Sequence, residues 1–126
     1  MSNLSVEITG FVAGDDLEIR RTVTELPADI ETAWLTVKHF PAQPDGEAKL
    51  QKRITATDVP GTGQIVAAGG PGTDGDLRFD LTPQDTTCLG AKKLVHDIQI
   101  KLSTGKIYTI EKGTIQLAAD VTQSAT

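Results

Sequence analysis

The stretch "LVHDIQIKLSTGKIYTIE", residues 94–111, sets the fold class. Leu94, His96, Ile98, Ile100 and Leu102 alternate with Val95, Asp97, Gln99 and Lys101. That two-residue period marks a strand with one buried face. Ser103, Thr104 and Gly105 interrupt it, and residues 106–111 return antiparallel, which predicts a hairpin. A last strand is expected over 114–121, just after Gly113.

Working outward, the same period recurs. In 16–26, Leu17, Ile19, Arg21, Val23 and Glu25 share a face that is apolar at three of its positions. In 33–40, Ala33, Leu35, Val37 and His39 oppose Trp34, Thr36, Lys38 and Phe40. Residues 49–56 place Lys52 between Leu50 and Ile54, the mark of a weaker strand at a sheet edge. Strands follow at 64–68 and 76–82, the second with Leu77, Phe79 and Leu81 on one side. Between strands, 82–91 reads as one short helical turn, with Thr82 as cap, Pro83 at the first helical position and Asp85 three residues after the cap. Gly, Pro and Asp make loops of 40–47 and 67–76. The expected fold is therefore an all-β, antiparallel sandwich of about eight or nine strands with one short helical turn. Trp34 is expected in the middle of its core.

The chain has 126 residues, 38% of them hydrophobic and 4% aromatic, so a core of Val, Ile, Leu and Ala is implied. It reads as one domain over 1–126, with the core at about 4–122 and short polar tails, "SNLSV" and "TQSAT". A net charge of −5 argues against nucleic acid and against anionic membranes as partners. Cys88 is the single cysteine, which leaves no internal disulfide and implies a reducing compartment. "MSNLSVEITG" has neither the basic nor the apolar region of a signal peptide, and no run of about 18 apolar residues spans a membrane.

Motifs that carry chemistry are few. "STGK" at 103–106 lacks the earlier glycine of a phosphate loop, has Ile107 where Ser or Thr belongs, and joins two strands, so it reads as a turn. Asp74, Asp76 and Asp80 in and beside a glycine loop are too few for calcium, which takes about six to eight oxygens, and read as solvated acids. His39 and His96 lack a third zinc ligand; His96 falls on an apolar face and is expected to bond a backbone carbonyl there. Cys88 has no partner base and reads as a small, partly buried thiol. No catalytic, cofactor-binding or metal-ligating residue is assigned, and an enzyme is not expected.

"LRFDLTPQDTTCL" followed by 95–122 resembles the immunoglobulin-like N-terminal domain of tailed-phage baseplate upper proteins and related virion structural proteins. The matching pattern is a strand, a "P-x-D-T" turn (Pro83, Asp85, Thr86), a strand bearing Asp97, Ile98 and Gln99, a turn at Gly105 and a return strand with Thr109. It closes on Gly113, Ile115, Asp120, Val121 and Thr122, and "GDDLEIRRTV" at 14–23 is similar to the group's opening strand. His96 replaces the usual aromatic. The resemblance covers 76–122 well and 25–70 weakly.

What the resemblance implies is an immunoglobulin-like sandwich that docks onto other phage structural proteins, in the tail, baseplate or fibre, or as capsid decoration. A homo-oligomeric arrangement on the virion, reached after synthesis in the host cytoplasm, goes with it. Members often continue into fibre or adhesin segments; ending at Thr126 implies a freestanding accessory module. The competing expectation is a carbohydrate- or host-surface-binding sandwich, which needs an exposed ring such as Trp34.

Overall fold

The computed structural model describes residues 4–40 and 48–119. The predicted loop after Phe40 and the "TQSAT" tail lie outside them. Among the described residues, eight strands and one helix follow one another: β1 (Leu4–Ile8), β2 (Leu17–Val23), β3 (Ile30–Lys38), β4 (Leu50–Ile54), β5 (Gly63–Ala67), β6 (Gly75–Leu81), α1 (Pro83–Leu89), β7 (Leu94–Leu102) and β8 (Ile107–Ile115). They form a five-stranded sheet in the order β1-β8-β7-β3-β4 and a three-stranded sheet in the order β2-β6-β5. The fold is an all-β sandwich.

The alternation read from the sequence builds both layers. β7 buries Leu94, His96, Ile98, Ile100 and Leu102, and β6 buries Gly75, Leu77, Phe79 and Leu81. β3 adds Ala33, Leu35 and Val37, all fully buried. The core is one continuous cluster between the sheets, with Phe79 its largest fully buried side chain. Alternation therefore turns Trp34 away from that core, to the outer face of the five-stranded sheet, where it is half-buried. The expectation of a central tryptophan is corrected: three fully buried aliphatic residues of β3 and Phe79 fill that space.

Two further expectations change at the ends of the chain. "SNLSV" is not wholly a tail, because β1 begins at Leu4 and pairs parallel with β8, with Ile8 in the core. The remaining strand pairs are antiparallel. The last two predicted strands are one: β8 runs unbroken through Gly113 to Ile115. Beyond it, Ala118 still exchanges backbone hydrogen bonds with Phe11 and Ala13.

The helical turn is as expected. Thr82 Oγ1 accepts from the Asp85 amide at 3.2 Å, while Asp85 Oδ2 accepts from the Thr82 amide at 2.9 Å, a complete capping box. Thr86 anchors the helix from its inner side. Its hydroxyl accepts from the Gly14 amide at 3.0 Å and lies 2.7 Å from the Asp15 carbonyl, to which it donates.

Candidate functional site

Two places in the sandwich carry concentrated side-chain chemistry: a buried charged bridge between the sheets, and the outer face of the five-stranded sheet. The bridge begins with an irregularity in β8. Tyr108 lies opposite Ile100 and Glu111 opposite Ile98, so Ile110 is an extra residue, a bulge. Unbroken alternation from Tyr108 would turn Lys112 inward. The bulge shifts the phase by one and buries Glu111 instead, at 1% exposure.

His96 lies two positions from Ile98 on the same inner face of β7, and Arg21 reaches across from β2 of the opposite sheet. Glu111 Oε2 is 2.7 Å from His96 Nε2, and Oε1 is 2.5 Å from Arg21 Nε. Arg21 Nη2 adds a longer contact to Oε2 at 3.3 Å, and Nη1 donates to the Arg20 carbonyl at 2.8 Å. His96 therefore meets a carboxylate, not the backbone carbonyl expected of it. With Nε2–H donating to Glu111, a neutral ring leaves Nδ1 as a buried lone pair without a partner, cheaper to leave unpaired than an N–H.

Burial pushes the Glu111 carboxyl up, but the hydrogen bonds from His96 and Arg21, with the guanidinium charge, outweigh it and hold the group below the ordinary carboxylate range. Both carboxylate oxygens are occupied, and the imidazole is sealed from solvent. Such an arrangement can lock two sheets together. It leaves no reacting atom facing a substrate.

A second ion pair closes the opposite margin. Lys52, the charge read between Leu50 and Ile54, extends its Nζ to Asp85 Oδ2 at 2.7 Å and donates to the Gly61 carbonyl at 2.8 Å. Burial raises the Asp85 carboxyl, but Lys52 and the Thr82 cap together hold it low. This ties edge strand β4 to the helix cap.

The outer face of the five-stranded sheet is different. Trp34 stands directly between Arg53 of β4 and Gln99 of β7. Trp34, Gln51, Gln99 and Ile107 line a shallow depression of about 180 Å³. A second depression of about 200 Å³ adjoins it along the strands, lined among others by Thr36, Val95 and Lys112. Gln51 donates to the Thr36 hydroxyl at 3.1 Å and Gln99 to that of Thr109 at 3.3 Å.

The other residues singled out in the sequence do not converge. His39 is exposed just after β3, whereas His96, opposite Val37, is buried in the core, so the two do not share a site. Asp76 and Asp80 lie on β6 beside arginines, Asp80 3.2 Å from Arg78 Nε and Asp76 3.7 Å from Arg20 Nη2, and Asp74 is exposed in the preceding turn. Among the described residues no group of three or more His, Cys, Asp or Glu could hold a metal ion. Cys88 is exposed, not partly buried as expected, because α1 turns Thr86 and Leu89 inward. "STGK" is the β7–β8 turn, with Gly105 at φ +90° and its amide bonded to the Leu102 carbonyl. No family model matches this chain, and no curated protein matches it.

Proposed function

We propose that this chain is a non-enzymatic structural protein of a tailed-phage virion, a sandwich whose work is adhesion to neighbouring virion proteins. The observation that carries the reading is the run from β6 through β8. The resemblance rests on a strand, a "P-x-D-T" turn, a strand, a glycine turn and a return strand in that order. Here Pro83, Asp85 and Thr86 make the capped helix that carries the chain from one sheet to the other, and Gly105 makes the hairpin.

A physical route to adhesion goes with it. β4 is an edge strand of the larger sheet, and edges offer unpaired backbone donors and acceptors to a neighbour; on β5, the edge of the smaller sheet, the Gly63 and Ile65 amides are already held by the Val59 and Thr55 carbonyls. Lys52 on β4 points inward to Asp85, which discourages uncontrolled pairing while leaving the backbone available to a fitted partner. Both interlocks, Arg21–Glu111–His96 and Lys52–Asp85, make the module rigid, as a lattice component must be to hold its neighbours in register.

Quantitative mass spectrometry of purified particles of the encoding phage tests the reading. Copies in the hundreds assign capsid decoration, and far fewer assign the tail, baseplate or fibre. Absence from the particles overturns the proposal.

A further inference from the structure

We infer that the outer face of the five-stranded sheet is a saccharide-binding surface centred on Trp34, taking an oligosaccharide that carries carboxylate groups. The core does not need this tryptophan: Ala33, Leu35 and Val37 fill the inner side of β3 completely. The ring keeps part of its surface in water on the outer face of the sheet, and Trp combines a broad apolar face with a polar N–H.

The surroundings say what covers it. A protein hot spot packs its aromatic anchor in a desolvated centre from which the neighbouring contacts exclude water. Trp34 instead has Arg53 and Gln99 directly beside it, with Gln51 and the hydroxyls of Thr36 and Thr109 in the next positions. Each glutamine has one N–H held by a threonine hydroxyl, which fixes the amide plane, while a primary amide carries a carbonyl and a second N–H besides. Fixed amides and hydroxyls around a flat ring suit a polyhydroxylated ring: its C–H face lies on the indole and its rim hydroxyls meet the amides. Ile107, 58% exposed, extends the apolar floor on one side. The two adjoining depressions continue the surface along the strands, giving room for more than one sugar.

Charge selects among sugars. The chain as a whole is acidic at −5, yet this face presents Lys38, Arg53, Lys101 and Lys112 against Glu7 and Asp97. The opposite outer face, on β2 and β6, alternates Glu18, Arg20, Asp76, Arg78 and Asp80. The excess of cations over acids lies on the tryptophan side, with Arg53 next to the ring, where a sugar carboxylate accepts a charge-assisted, two-pronged hydrogen bond.

The test is a printed array of acidic and neutral oligosaccharides probed with the full chain and its variants, each verified as folded by circular dichroism. Wild-type protein is expected to be retained by uronate- or sialate-bearing oligosaccharides, with a shift in the fluorescence of its single tryptophan. Trp34→Ala is expected to lower that retention by about tenfold or more. Should Trp34→Ala unfold, Gln99→Ala serves in its place with the same expected direction, and Arg53→Gln is expected to remove the preference for acidic over neutral sugars. Retention by no oligosaccharide, retention unchanged in Trp34→Ala (or in Gln99→Ala where that variant stands in), or equal retention of neutral and acidic sugars overturns the inference. The virion proposal is judged separately by particle composition, so either can fail alone.

Discussion

Arg21 and His96 were visible in the sequence as anomalies: a guanidinium between Ile19 and Val23, and an imidazole between Leu94 and Ile98, on faces otherwise apolar. What joins them was not visible. Glu111 lies on a third strand and faces inward only because of the bulge at Ile110, and no local pattern says that β2 crosses over β7 and β8. Replacing the Glu111 carboxylate by an amide leaves one acceptor oxygen for two donors, sets an NH2 against the other, and removes the charge that balances the guanidinium. Glu111→Gln is expected to cost about 3 kcal/mol, near the low end for breaking a buried pair because Arg21 keeps contact with water at 27% side-chain exposure. Urea titration at neutral pH checks it. The pH dependence has a definite sign. The carboxyl is held below its ordinary value in the folded state, so its contribution is present above the unfolded value and is lost as pH falls through the folded one. Wild-type stability should therefore drop on acidification below the ordinary carboxylate range, and Glu111→Gln should lose that part of the slope. Equal acid sensitivity in both proteins would remove Glu111 as its source.

At the scale of elements, alternation was enough for β2, β6 and β7, whose buried residues fall at every second position, whereas β3 buries Thr32 and Thr36 of its outer face as well. β8 defeats a two-residue reading because its apolar residues change phase, from Tyr108 and Ile110 to Ile115 and Leu117. That slip is itself a signal for a bulge, not for a strand break. β1 has a short but regular pattern in Leu4, Val6 and Ile8; its partner, however, lies more than a hundred residues away, and parallel pairing leaves no hairpin turn to find. Gly113 makes the pairing possible, since a Cβ there would fall inside the Val6 carbonyl. Gly113→Ala is expected to displace β1, at a cost of roughly 1–3 kcal/mol as an overpacked site. Hydrogen exchange should then show lost protection at residues 4–8 while β3 and β7 stay protected. The helix offers a milder case: Thr82→Ala removes the hydroxyl half of the capping box and should lower stability by about 1 kcal/mol.

Across the whole molecule, neither sheet is made from contiguous chain. Passing from β1 to β8, the backbone changes layer at β1–β2, β2–β3, β4–β5 and β6–β7. The three-stranded sheet is built from two separate excursions and has one buried face, which it shares with the larger sheet. Removing either layer exposes the whole core of the other, and the Arg21–Glu111 bridge between the layers would lose a partner. Independent unfolding of one sheet therefore has no stable product, and a single cooperative transition is expected. The single tryptophan reports on the five-stranded sheet from its outer face, and amide exchange at Leu77, Phe79 and Leu81 reports on the other. Midpoints from tryptophan fluorescence and far-UV circular dichroism should coincide. The β6 amides should exchange with the same free energy as those of β7, through global opening. A β6 that exchanges at lower cost than β7 would mean that the small sheet detaches by itself, and the rigidity assigned to the two bridges would fail with it.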